Sequence, residues 1–137
     1  MNIDLTGKIA LVTGATGQLG RVMIRTLAEC GADMVIHYHK NSKKAEELHK
    51  EIVSSGRRAL IVQADITDFD SVMHMRDAVV KELGAPDIVV NNAVIQYNWT
   101  TVLEQPIEDY ESQFRSCVVH NVLMAKAFIP CMIEKRY

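Results

Sequence analysis

Four short apolar runs are spaced along the chain, and each is followed by a stretch in which apolar residues return every three or four positions. The runs are Ile9-Ala10-Leu11-Val12, Met34-Val35-Ile36-His37-Tyr38, Ala59-Leu60-Ile61-Val62 and the centre of Asp87-Ile88-Val89-Val90-Asn91, which is read as strand four. None alternates apolar with polar residues, and strands covered on both faces of a parallel sheet have this pattern. The first strand takes residues 8–13. Leu19, Val22, Met23 and Leu27 then mark a helix over about 18–30, stopped by Gly31. Asn41 or Ser42 caps a second helix with Ala45, Leu48 and Ile52 on one face. Thr67 or Asp68 caps a third with the stripe Val72, Met75, Val79 and Leu83. A polar loop leads to a long helix from about 106 to 135, with Ile107, Tyr110, Phe114, Val118, Val122 and Ala125 as its expected buried face. Strands alternating strictly with helices predict an α/β fold, a doubly wound parallel sheet with right-handed crossovers and strand order 3-2-1-4. The 137 residues are expected to form one domain.

In such a sheet the ligand crevice lies beyond the carboxyl ends of the strands. Three segments meet there: the turn Thr13-Gly14-Ala15-Thr16-Gly17-Gln18-Leu19-Gly20, Asp65 after strand three, and Asn91–Val94 after strand four. Glycines at 14, 17 and 20 join a buried strand to a helix start. There, unpaired N–H groups and the positive dipole end suit an anion, and missing Cβ atoms let a phosphate approach. Taken alone, the turn is equally a ligand-free strand-to-helix connection. Asp65 alone is a turn or cap residue, and Asn121 is a polar residue on an apolar helix face. No Gly-Lys-Ser/Thr follows the turn, which excludes a nucleoside-triphosphate loop.

Composition narrows the partners. A net charge of −2 gives no field for nucleic acid or an anionic membrane. No apolar run approaches the roughly 18 residues of a membrane span, and Met1–Leu5 does not read as a leader. Cys30, Cys117 and Cys131 have neither metal-ligand nor pairing spacing, so reduced thiols in a cytoplasmic protein are expected. His37 and His39 lack a third ligand within reach by sequence, so no metal site is expected.

Several of these features occur in one order: Asp4-Leu5-Thr6-Gly7-Lys8 before a strand ending in Thr13-Gly14, Asp65 after strand three, Asn91-Asn92-Ala93 at the end of strand four, and Asn121 in the long helix. Together they resemble the short-chain dehydrogenases/reductases, NAD(P)-dependent oxidoreductases built on a single Rossmann-type domain. The resemblance spans the whole chain. It implies that Gly14, Thr16, Gly17, Gln18, Leu19 and Gly20 surround the pyrophosphate and nicotinamide ribose. Asp65 would bond the adenine amino group, with Ile66 against the ring. Asn92 and Ala93 would line the cofactor, while Asn91 would tie the central strands. Asn121 would be the catalytic asparagine, in a helix locally opened at that point. Two positions depart from the family's compact pattern. Gly17 comes one place early, with Gln18 at a usual glycine position, and Val94 stands where a glycine usually closes Asn-Asn-Ala-Gly.

Strand two ends in Tyr38-His39-Lys40-Asn41-Ser42, without the acid that binds a ribose 2′-hydroxyl in NAD sites. A carboxylate would repel a 2′-phosphate, whereas His39, Lys40, Asn41 and Ser42 would attract and bond one, so NADP(H) is expected over NAD. Asp33 lies at the wrong end of the strand to serve. The resemblance also implies a serine and a Tyr-x-x-x-Lys pair, and neither is found. Tyr38 is followed four places on by Ser42, Tyr97 by Thr101 and Tyr110 by Phe114, and Tyr137 is the last residue. The expected reading is the N-terminal, cofactor-binding portion of an oxidoreductase acting on a small carbonyl or alcohol, incomplete at its C-terminus and inactive alone. The alternative is a non-catalytic dinucleotide-binding or oligomerisation module. An open edge at strand four and an uncovered long helix predict a homo-oligomer.

Overall fold

A computed structural model describes residues 3–135. Met1, Asn2, Arg136 and Tyr137 lie outside the described residues, and with them the first two residues of the segment read as no leader and the last tyrosine. The elements run β1 (Ile9–Val12), α1 (Gln18–Glu29), β2 (Asp33–Tyr38), α2 (Ser42–Ser54), β3 (Ala59–Gln63), α3 (Phe69–Glu82) and β4 (Ile88–Val90). Next come α4 (Ile107–Phe114), a π-helical turn (Arg115–Val119) and α5 (His120–Glu134). All strand pairs are parallel and the order is β3-β2-β1-β4, as the alternation predicts. Register sets Val12 opposite both Ile36 and Val90, so β1 and β4 end together, β2 and β3 run two residues further, and the loops that follow share one edge.

Both faces of the sheet are covered, which is why its strands carry apolar runs rather than alternation. On one face Ala10, Val12, Met34 and Ile36 pack against Ile24 and Ala28 of α1 and Ala45, Leu48 and Ile52 of α2. On the other, Leu11, Val35 and Val62 meet Val72, Met75 and Val79 of α3 and Met124, Ala127 and Phe128 of α5. Asn41 caps α2 by accepting the Lys44 N–H at 3.1 Å, and Asp68 caps α3 by accepting the Ser71 N–H at 2.7 Å. At the opposite end of the strands, the enclosed Asp87 carboxylate accepts from the Ile9 amide and from Lys135 Nζ, each at 2.8 Å. Asp33 sits at the same end, paired with Arg58 at 2.8 Å, away from any ligand crevice.

The long helix departs from expectation. The face carrying Ile107, Tyr110, Phe114, Val118 and Val122 points to solvent, with Ile107 66% and Phe114 58% exposed, and Ala125 is half-buried. The buried line is instead Ser116, His120, Met124, Ala127 and Phe128. Two causes combine. The sequence from Cys117 to Phe128 is apolar almost all round, so periodicity does not select a face. The π turn then inserts an extra residue between α4 and α5. The run Ile107–Glu134 also holds an 18-residue window of mean hydropathy 1.5. By length and composition alone it reaches what a membrane span needs, which corrects the reading that no apolar stretch does. In this fold α5 lays Met124, Ala127 and Phe128 on the sheet.

Candidate cofactor site

At the carboxyl edge of the sheet, β1 passes into the glycine turn through Thr13, which is fully buried. Its hydroxyl accepts the amides of Asn92 at 2.9 Å and Ala93 at 3.0 Å and donates to the Val90 carbonyl at 3.4 Å. Asn92 answers from the other side, with Nδ2 donating to the Thr13 carbonyl at 2.9 Å and to that of Gly14 at 3.3 Å. The tie between the central strands is therefore made by Asn92, and Asn91, expected to make it, is exposed.

The three glycines do different work. Gly14 has φ +64°, and a Cβ there would stand 2.9 Å from the Ala93 Cα. Gly20 is buried in α1, and a Cβ there would strike the Gly14 carbonyl and stand 2.9 Å from the Ala15 Cα. Both are demanded by the protein's own packing. Gly17 is not: its φ of −72° is ordinary, and a methyl group at this position would meet only the Gly14 carbonyl oxygen, at 3.3 Å. It opens α1 as an N-cap with no side-chain hydrogen bond, unlike Asn41 and Asp68, and no acid follows in the first turn. Gly17, Gln18 and Leu19 are exposed, Thr16 is half-buried, and Leu19 turns 60% of its surface outward. First-turn amides with no side-chain cap and no acid beside them suit an anion such as a pyrophosphate.

Asp65 accepts the Thr67 amide at 2.9 Å and its hydroxyl at 2.7 Å through Oδ1. Burial works to raise its carboxyl. The Thr67 hydrogen bonds, with His39 and His37 nearby, outweigh that and hold it below the usual carboxylate value. Ile66 beside it is buried. His39, Lys40, Asn41 and Ser42 are all exposed at the start of α2. The cap occupies the side-chain oxygen of Asn41 and leaves its amide nitrogen to donate. Ala93 is half-buried and Val94 exposed. After β4, Tyr97 and Trp99 contact each other, with ring centroids 5.2 Å apart, in the wall of an open cavity of about 580 Å³ with Gln105 and Asp109.

Asn121 stands apart. Its side chain is exposed and donates to the Cys117 carbonyl, and the helix opens over Arg115–Val119, one turn before it rather than at it. Two histidines that the sequence did not single out for this site lie inside it. His37 is 1% exposed and bonds to Gly14 and Ala64. His120 is equally buried and its Nδ1 lies 3.1 Å from the Ser116 carbonyl. Burial lowers its pKa despite the Ser116 and Ala93 main chains. For His37 the signal was present as a polar residue inside an apolar strand. For His120 it was the 116-120-124-127 spacing.

The family model of the short chain dehydrogenases matches residues 8–137. The chain belongs to the short-chain dehydrogenase family. This short-chain dehydrogenase chain is 37% identical over 111 residues to the hydroxynaphthalene reductase-like protein Arp2 of Metarhizium robertsii, covering 81% of itself and 41% of that protein. Its fold is similar to a short-chain type dehydrogenase/reductase from Mycobacterium marinum (TM-score 0.88, 32% identity, 96% and 53% coverage). A short chain dehydrogenase from Burkholderia cenocepacia in complex with NADP is likewise similar (TM-score 0.86, 32% identity, 93% and 52% coverage). The chain spans about half the length of these relatives.

Proposed function

We propose that this chain is the NADP(H)-binding part of a short-chain oxidoreductase that interconverts a small carbonyl and an alcohol. The observation that carries this is Gly17, exposed at the uncapped start of α1, where the protein's own packing constrains a side chain far less than at Gly14 or Gly20. The amides of Gln18, Leu19 and Gly20 receive the pyrophosphate, and Thr16 and the Gln18 side chain stand beside it. Asp65 accepts from the adenine amino group through the oxygen Thr67 leaves open, with the small exposed part of Ile66 against the ring. Lys40, Ser42, His39 and the Asn41 amide bond the 2′-phosphate, and the similar Burkholderia protein is complexed with NADP. Asn92 and Ala93 form the wall on the β4 side. When bound, the reduced cofactor would supply hydride from the nicotinamide C4 and the oxidised form would accept it there. Asn121 fastens the π turn by holding the Cys117 carbonyl.

The test is a fluorescence titration of the 137-residue chain with NADPH and NADH. NADPH should bind more tightly, and Lys40→Glu should weaken NADPH by roughly tenfold while leaving NADH little changed. Equal affinity for both nucleotides in the native chain would sink the 2′-phosphate assignment. A second reading, association with another copy, is favoured by the exposed apolar face of α4 and α5 and by the open edge of β4.

A further inference from the structure

His37 joins three strand ends at once. Its backbone carbonyl, near the end of β2, accepts the Ala15 amide at 2.9 Å. Its imidazole Nδ1 accepts the Gly14 amide at 2.9 Å, and Nε2 lies 3.1 Å from the Ala64 carbonyl, the residue before Asp65. An Nδ1 that accepts carries no proton, so Nε2 carries it and donates to Ala64. The ring thus bridges the turn after β1, which would hold the pyrophosphate, and the loop after β3, which would meet the adenine. Gly14 needs such a support. Its φ of +64° turns the peptide out of the strand direction, and Thr13 and Asn92 hold only its β4 side.

We propose that His37 is a positioning residue of the cofactor site, its imidazole bracing the Gly14 amide against the Ala64 carbonyl so that the phosphate and adenine ends are set at a fixed separation. The inference rests on the NADP(H) reading above for its binding consequence, but not for its geometry. Charged and titratable neighbours agree with a neutral ring. Burial, His120 and His39 all oppose a second proton, against weaker support for one from the Ala64 carbonyl and Asp65, and the pKa falls to about 4.

Two measurements on the 137-residue chain test this. Nitrogen-15 spectra of the imidazoles should show His37 as the Nε2–H tautomer at neutral pH, with the Gly14 amide moved upon substitution. A ring protonated at Nδ1 overturns the proposal. In NADPH titrations, His37→Asn places an acceptor where Nδ1 stood and should stay within about threefold of native affinity. His37→Leu should lose roughly tenfold or more. Asn binding no better than Leu at matched melting temperature, or Leu binding like the native chain, also overturns it. Should His37→Leu not fold, His37→Gln replaces it: it reaches toward Ala64 but offers no acceptor at the Nδ1 position, and it should bind less well than Asn. If the native chain binds no NADPH, the cofactor reading fails instead, and the tautomer and the Gly14 amide shift still decide the role of His37.

Discussion

Gly17 and Gly20 look alike in the sequence and differ in what they do, so one substitution separates them. Gly20→Ala forces a methyl into the Gly14 carbonyl and the Ala15 backbone, and should lower stability by about 1–3 kcal/mol in urea titration. Gly17→Ala meets only one atom, at 3.3 Å, so it should melt close to the native temperature while losing NADPH binding. Loss of stability in Gly17→Ala equal to that in Gly20→Ala would refute the distinction. The histidines add a pH dependence. The folded-state pKa of His37 lies near 4, below its ordinary 6.5, so the unfolded chain binds more protons between those values. Stability should therefore fall as pH drops from about 7 to 4, by an amount on the order of 3 kcal/mol from this group. His120 and the lowered carboxyls of Asp65 and Asp87 act in the same direction. Urea midpoints at pH 7, 5.5 and 4.5 check this, and a rising midpoint would be contrary to it. That Gly14, Asp65 and Asn92 lie at one edge of the sheet was legible because each follows closely on a strand end. The hydrogen bonds of Thr13 and His37 were not, because they join segments distant in sequence.

At the scale of elements, the strands and helices α2 and α3 follow from the sequence because each of these helices has a single apolar stripe, and Asn41 and Asp68 mark where they begin. Helix α1 was placed correctly, but of the residues that marked it Leu19 and Val22 are exposed, and its buried line is Gly20, Ile24 and Ala28. The last helix does not, since α5 offers apolar residues on every side and only tertiary contact chooses Met124, Ala127 and Phe128. What the pattern marked as core in α4, Ile107, Tyr110 and Phe114, is surface. Such a face asks for cover. Phe114→Glu should leave the melting temperature of the monomer nearly unchanged and shift light scattering toward monomer. A native chain already monomeric at working concentration would remove the association reading.

For the whole molecule, the loops after four parallel strands share one edge of the sheet, the edge proposed above for the cofactor, yet no Tyr-x-x-x-Lys occurs anywhere in the sequence. The 137-residue chain is expected to bind NADPH without oxidising it in the presence of carbonyl compounds. Absorbance at the nicotinamide band checks this, and turnover above a blank would require another proton donor. The π turn at Arg115–Val119 bears on the molecule as a whole in a different way. It acts as a phase shifter. A helix advances about 100° per residue, so deleting one residue there would restore an unbroken α-helix and swing α4 by roughly that angle about the axis of α5. The Ile107–Phe114 stripe would leave the surface it now shares with Val118 and Val122. The loop of Tyr97 and Trp99, fastened to the helix where Gln113 donates to the Ile95 carbonyl, would be dragged with it. One inserted residue thus sets both which face of the helix is left for a partner and where the cavity wall after β4 stands.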